Sequence, residues 1–390
     1  MGEVDSARYT WIMNTFLPVT QIQIPSDFID LGIGDPQLSL LPAELIHQSA
    51  ETCFAQNDPS FLQYGAEQGN GCFRLALAKF LSAGHGFPVE PESLFVTSGV
   101  SGGLDLICTL FTQPGDTIFI EEPTYFLALR IFADHDLRLV PIPTDEDGLI
   151  LDALEKKLAE IHPKFLYLIP AFQNPSGHTL TRERRERLVE LCQEHDFLIV
   201  ADEVYHFLNY SPQPPKAFAA YSGVRNVISL GSFSKILAPG LRLGWMQAEV
   251  ILIERLVTCG LLDSGGGMNP FTSAIVRGIL ENGELEKHIL SLKTTYSERL
   301  ATMDVALRRY LPGARYTIPQ GGYFFWLRLP RDADAEELLT KAREFKVSFR
   351  PGIRFSSQAE LRQYVRLSFS FYESQEIEEG VKRLRQTLEK

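Results

Sequence analysis

Between residues 94 and 246, short runs of β-prone apolar residues alternate with longer stretches of helical periodicity. The runs Leu94–Thr97, Thr117–Ile120, Phe165–Ile169, Leu198–Ala201, Val227–Leu230 and Leu243–Met246 read as strands. Several are apolar on both faces, as strands buried between helix layers must be. Ser101–Thr112, Tyr125–Asp134, Thr181–His195 and Pro270–Asn282 read as helices. Thr181 is a natural N-cap, with Glu183 in the first turn and Leu188, Leu191 and Cys192 facing inward. This alternation predicts a mostly parallel α/β sheet. Beyond it a long polar helix over Glu284–Tyr310, a strand over Tyr323–Leu329, another over Val365–Ser370 and a last amphipathic helix from Ser374 predict a separate α+β part.

The 390 residues suit two domains around a large core. The net charge of −12 argues against a general nucleic-acid binder. Cys53, Cys72, Cys108, Cys192 and Cys259 form no CxxC pair and read as free thiols of a reducing compartment. No signal peptide, membrane span, repeat or metal-ligating constellation is expected, so a soluble cytoplasmic protein is.

In an open α/β sheet, ligands gather beyond the carboxyl ends of the strands. Five candidate strands border polar clusters there. Thr97-Ser98-Gly99-Val100-Ser101-Gly102-Gly103 is either a phosphate cradle or a tight turn. Phe172-Gln173-Asn174-Pro175-Ser176-Gly177 is a turn whose Asn174 could face a ligand oxygen. Asp202 closes a very apolar strand and needs a partner: a protonated ring nitrogen, a buried arginine or a backbone cap. Lys235 stands among Ser232, Phe233 and Ser234, where a shielded amine becomes a nucleophile; most lysines are simply solvated. Arg242 lies between apolar neighbours and suits an anion or a structural salt bridge. One ligand satisfies all five: pyridoxal 5′-phosphate, which needs a lysine Schiff base and a partner for its pyridinium nitrogen.

From about Leu31 to the C-terminus the chain resembles the fold-type I, class I/II aminotransferases, in the branch with 2-aminoadipate, kynurenine and aromatic aminotransferases. PAFQNPSG, ADEVY, SFSK, GLRLGW, QGGYFFWLRLP and VRLSFS carry the likeness. The resemblance implies a large domain with a mostly parallel seven-stranded sheet between helices, plus a smaller α+β domain. It divides the chain into an arm and part of the small domain (1–45), a cofactor domain (46–285) and a C-terminal domain (286–390).

It also implies roles. Lys235 forms the internal aldimine, Asp202 holds the ring nitrogen protonated, and Asn174 and Tyr205 contact the ring hydroxyl. Tyr125 stacks on the ring; Ser98, Gly99, Val100, Ser232, Ser234 and Arg242 hold the phosphate. Tyr64 reaches the phosphate of a neighbouring subunit, implying a homodimer with shared sites. Arg366, Gly34 and Asn174 receive the substrate α-carboxylate. Without that context Tyr125 reads as a core aromatic and Tyr64 as a surface one.

The implied reaction is ping-pong transfer of an amino group from an L-amino acid to a 2-oxo acid, 2-oxoglutarate foremost. The same scaffold supports lyase chemistry, and a non-catalytic effector domain is a remote alternative. Gly265-Gly266-Gly267 departs from the family pattern, and predicts a mobile loop or a close backbone approach. Arg350 and Arg354 flank Pro351-Gly352 and read as solvated or as contacts for an acidic side chain.

Overall fold

The computed structural model describes residues 20–22, 24–224, 226–330 and 333–388. Residues 1–19 of the expected N-terminal arm lie outside them. The strands in chain order are β1 (Ile29–Asp30), β2 (Leu94–Thr97), β3 (Thr117–Glu122), β4 (Arg138–Asp145), β5 (Gly148–Leu149), β6 (Phe165–Leu168), β7 (Leu198–Asp202), β8 (Val227–Ser232), β9 (Gly244–Ala248), β10 (Phe324–Arg328), β11 (Val347–Ser348), β12 (Arg350–Pro351) and β13 (Tyr364–Ser368).

The main sheet has the order β2-β9-β8-β7-β6-β3-β4-β5. Strands β8, β7, β6, β3 and β4 run parallel, while β9 runs antiparallel to both β8 and β2. Seven strands of four or more residues match the expected count; two-residue β5 adds an eighth by a short hairpin with β4. Every residue of β2, β6 and β8 is buried, as strands between two helix layers require. Strand β4 escaped the sequence reading because Pro141 and Pro143 interrupt it. Only the two-residue β5 covers its outer side, where prolines are tolerated.

The helices fall close to their expected places: Gly99–Phe111, Phe126–Asp134, Arg182–Glu194, Pro270–Glu281 and Glu284–Tyr310. Thr181 caps its helix, its hydroxyl accepting from the Arg184 N–H at 3.4 Å.

A second sheet has the order β10-β13-β12, wholly antiparallel. Beside it β1 pairs in parallel with β11, through Ile29↔Val347 and Asp30↔Ser348. The Leu31 carbonyl then accepts from the Ser368 N–H at 2.6 Å, fastening the chain after β1 to the end of β13. The expected divisions at 45/46 and 285/286 fall inside the first turns of helices Ala43–Ala55 and Glu284–Tyr310; the nearest breaks are Pro42 and Gly283, the latter at φ 67.

Candidate active site

The site gathers at the carboxyl ends of β6, β7 and β8, against the loop after β1 and the middle of β13. Asp202 ends β7 and lies beside Leu230 of β8; Lys235 follows three residues after β8 ends. Asp202 is 3 % exposed. One carboxylate oxygen accepts from the Tyr167 hydroxyl at 2.9 Å, the other from the Val204 N–H at 3.3 Å. Burial pushes its carboxyl up to about 6, against those hydrogen bonds. A cation opposite it would restore the charged form.

Lys235 Nζ donates to the Gly34 carbonyl at 2.8 Å and lies 3.7 Å from the Asp35 carboxylate. Its proton affinity is lowered, first by burial, with Asp35 opposing and Arg366 reinforcing. Arg366, 3 % exposed, donates from Nη1 to Asn174 Oδ1 at 2.7 Å and from Nη2 to the Gly32 carbonyl at 2.6 Å. Its guanidinium stacks 4.0 Å from the Phe324 ring centre and 5.0 Å from that of Phe355. Burial lowers it to about 10, and its Nε is buried without a partner. Asn174 Oδ1 is thus committed to Arg366, leaving its NH₂ to face a ligand.

The Ser98 end of helix Gly99–Phe111 has no side-chain cap, and Gly99 has φ +83. Its first N–H groups, Val100 included, are open to an anion. Arg242 joins them: Nη2 donates to the Ser98 carbonyl at 3.1 Å, and a Cβ on Gly99 would stand 3.1 Å from that same nitrogen. The Arg242 backbone is left-handed, and its carbonyl accepts from Asn269 Nδ2 at 2.5 Å. Ser232 is buried and its hydroxyl is already engaged by Ser234 Oγ and the Leu243 carbonyl; Ser234 is the more open of the two. Tyr125, half-buried, is raised to about 12 by burial and then by Asp202. Tyr205 is buried and edge-on to Tyr323 and Phe324.

Gly34 also sits close: a Cβ there would meet the Phe324 ring at 3.0 Å and Arg366 Nη2 at 3.7 Å. Tyr64 is 82 % exposed and touches none of these groups within the single chain.

Three participants escaped the sequence reading. Tyr167 was hidden in an aliphatic run, where one phenol among Phe165, Leu166 and Leu168 was the signal. Asp35 was read only as the neighbour of Gly34. Glu121 lies fully buried in β3, accepting from the Ile169 N–H at 2.8 Å and Gln173 Nε2 at 3.3 Å, with His178 Nε2 at 3.4 Å. It braces the turn that carries Asn174.

The glycine run resolves in favour of close approach. Gly267 N–H donates to the Gly65 carbonyl at 2.9 Å, and a Cβ on Gly267 would stand 1.8 Å from the Ala66 carbonyl oxygen. Gly266 has φ +68. Arg350 pairs with Asp30 at 3.3 Å, and Arg354 is exposed.

The donor set suits pyridoxal phosphate: a shielded amine, a buried carboxylate, an anion cradle completed by an arginine and a second, desolvated arginine. The aminotransferase class I and II family model matches residues 26–384. The chain belongs to that family. Its relatives include aromatic-amino-acid aminotransferase 1 of Thermococcus litoralis, 38 % identical over 93 % of this chain and 88 % of that one. A multiple substrate aminotransferase from Thermococcus profundus superposes with TM-score 0.88 at 34 % identity, covering all of this chain and 96 % of that one. A kynurenine aminotransferase of Pyrococcus horikoshii, solved with PMP, gives TM-score 0.88 at 33 % identity, covering all of this chain and 95 % of that one. The protein is a fold-type I, pyridoxal-phosphate-dependent aminotransferase acting on amino acids and oxo acids.

Proposed function

We propose that the enzyme passes the amino group of an L-amino acid to 2-oxoglutarate by a ping-pong cycle, in a cytoplasmic homodimer with shared sites. The observation that carries this reading is Arg366: a buried guanidinium with an unpartnered Nε, in the same enclosure as Lys235 and Asp202. A planar two-pronged donor suits a carboxylate, and its burial is costly without an anion. Gly34 leaves room beside it for that carboxylate.

When bound, pyridoxal phosphate supplies an electron sink and a carbonyl carbon that exchanges amines. Asp202, whose carboxylate accepts from the Tyr167 hydroxyl, would hold the ring nitrogen of the cofactor in its protonated form. Lys235 would be the amine that holds the cofactor's carbonyl carbon, and its amine, once free, would serve as the base for the substrate Cα proton. Burial favours its neutral form, which a nucleophile and a base both need. Asn174 and Tyr205 would hold the ring hydroxyl, and Tyr125 would stack on the ring. Ser98, Gly99, Val100, Ser234 and Arg242 would hold the phosphate, and Ser232, bonded to Ser234, would support it.

Tyr64 completes a neighbouring site in this proposal. It is exposed, as are Leu62 and the mutually contacting Phe54 and Phe271, and exposed large apolar side chains of this kind favour an interface reading. The cytoplasmic assignment is supported by five free cysteines.

The test is spectrophotometric. A panel of amino acids is added to the enzyme without an oxo acid. One equivalent of oxo acid should appear per site and then stop, until 2-oxoglutarate restarts turnover. Continuous release of ammonia without an acceptor would overturn the reading in favour of a lyase.

A further inference from the structure

The segment Leu31–Pro36 bonds to two of the site's cationic side chains, Lys235 and Arg366. Its Gly34 carbonyl accepts from Lys235 and its Gly32 carbonyl accepts from Arg366. The segment is held at both ends. Asp30 N–H donates to the Tyr372 hydroxyl at 2.8 Å, and Ser370 Oγ donates to the Asp35 carbonyl at 2.8 Å. That second bond fixes the backbone of Asp35 while leaving its carboxylate free.

The charged and polar groups facing Lys235 come from four elements. Asp202 approaches from β7 and Arg366 from β13; Asp35 and the Gly34 carbonyl come from the loop after β1. The Tyr323 ring, just before β10, has its centre 5.6 Å from Nζ. Of the two carboxylates, Asp202 is buried and already accepts from Tyr167 and Val204. Asp35 is different: its side chain is 44 % exposed, and its Oδ1 is 3.7 Å from Nζ. It thus borders both the lysine nitrogen and the solvent from which a substrate arrives.

We propose that Asp35 is a positioning residue, the counter-charge of the Lys235 nitrogen and the group that receives the ammonium of the incoming amino acid while Arg366 receives its carboxylate. This rests on the reading of Lys235 as the cofactor lysine. Two oppositely charged groups near the lysine, Asp35 and Arg366, match the two charges of an α-amino acid. They match an oxo acid only in part, since it carries a carboxylate and no ammonium. Among the influences on Lys235, Asp35 is the foremost one opposing burial.

The experiment compares holoenzyme with Asp35→Asn and Asp35→Glu. The visible absorbance of the bound cofactor is titrated with pH, and KM is measured separately for an amino donor and an oxo acid. In Asp35→Asn the proton affinity of the lysine-linked nitrogen should fall about fivefold, the order one water-screened charge pair supplies at this range. KM for the amino donor should rise by a similar factor while KM for the oxo acid holds. Asp35→Glu should restore most of both, and the difference from Asn should shrink in high salt. If Asp35→Asn does not fold, Asp35→Ser takes its place in the same titration.

An unchanged midpoint, or equal rises in both KM values, would overturn the assignment. Borohydride reduction of the wild type followed by peptide mapping separates the two readings. If residue 235 is unlabelled, the cofactor-lysine reading itself fails. If it is labelled and the midpoint does not move, only Asp35 loses its role.

Discussion

The two halves of the site are built in opposite ways. The cofactor half stands on adjacent parallel strands. Asp202 and Lys235 are 33 positions apart in the chain, and β7 and β8 bring them together through one register, Asp202↔Leu230. The half proposed to hold the substrate is joined across almost the whole chain. Arg366 finds its acceptor at Gly32, 334 positions away, and its other partner at Asn174, 192 positions away. The first half inherits its precision from a sheet buried on both faces. The second depends on how the two ends of the polypeptide meet, through β1 with β11 and Leu31 with Ser368.

If the halves are separable, each should fail in its own way. Lys235→Ala strikes the cofactor half and has the largest expected effect: turnover falls by about a thousandfold or more, the order seen when a nucleophile is removed. Steady-state rates check it, and near-wild-type turnover would dissolve the distinction. Arg366→Leu strikes the other half. It removes charge-assisted hydrogen bonds of about 1.5–3 kcal/mol each, so kcat/KM for amino donors should fall about a hundredfold. The absorbance of the bound cofactor should stay as it is. Loss of colour in that variant would mean the two halves are one unit.

Cofactor affinity should also weaken as pH falls below about 6, because Asp202, raised to about 6 by burial, must ionise to pair with a protonated ring nitrogen. In the cofactor-free protein the same carboxyl has the opposite influence. Its folded value lies above its ordinary one, so the stability it contributes is full below about 4 and is lost as pH rises through about 6. Fluorescence titrations of wild type and Asp202→Asn over that window measure the difference, and identical slopes would refute the linkage.

Smaller effects sharpen the picture at the edge of the cofactor half. Gly267→Ala should destabilise by about 1–3 kcal/mol, since its Cβ would collide with the Ala66 carbonyl. Gly265→Ala, with open space around it, should change stability by less than about 0.5 kcal/mol. Thermal melts of the pair decide whether the glycine run is a strap or merely slack. Smallest of all, Arg354→Ala should leave amino-donor kinetics unchanged, because the side chain is exposed.

The same contrast explains what could be read from the sequence. Strand ends bordered by small and polar residues single out Ser98, Asn174, Asp202, Lys235 and Arg242 as candidates, because each is placed by its own strand and turn. Apolar periodicity places Leu94–Thr97 and Glu284–Tyr310 with the boundaries found in the fold. Strand β4 stays hidden because Pro141 and Pro143 mask an edge position. Tyr167 and Asp35 stay hidden for a deeper reason. Their roles exist only once β6 lies beside β7 and once the loop after β1 is fastened to β13. Local pattern carries no record of either meeting.

The pairing of β1 with β11 has a consequence for synthesis. The ribosome emits Ile29 early and must add more than 300 further residues before Val347 exists to receive it, on the order of tens of seconds at ordinary elongation rates. Throughout that interval the nascent chain can complete its large sheet while Arg366, the proposed carboxylate receptor, is still unborn. On the proposed roles, a message truncated shortly before codon 347 would therefore yield a protein with the strands of the vitamin's pocket and without the arginine assigned to the acid it should transform.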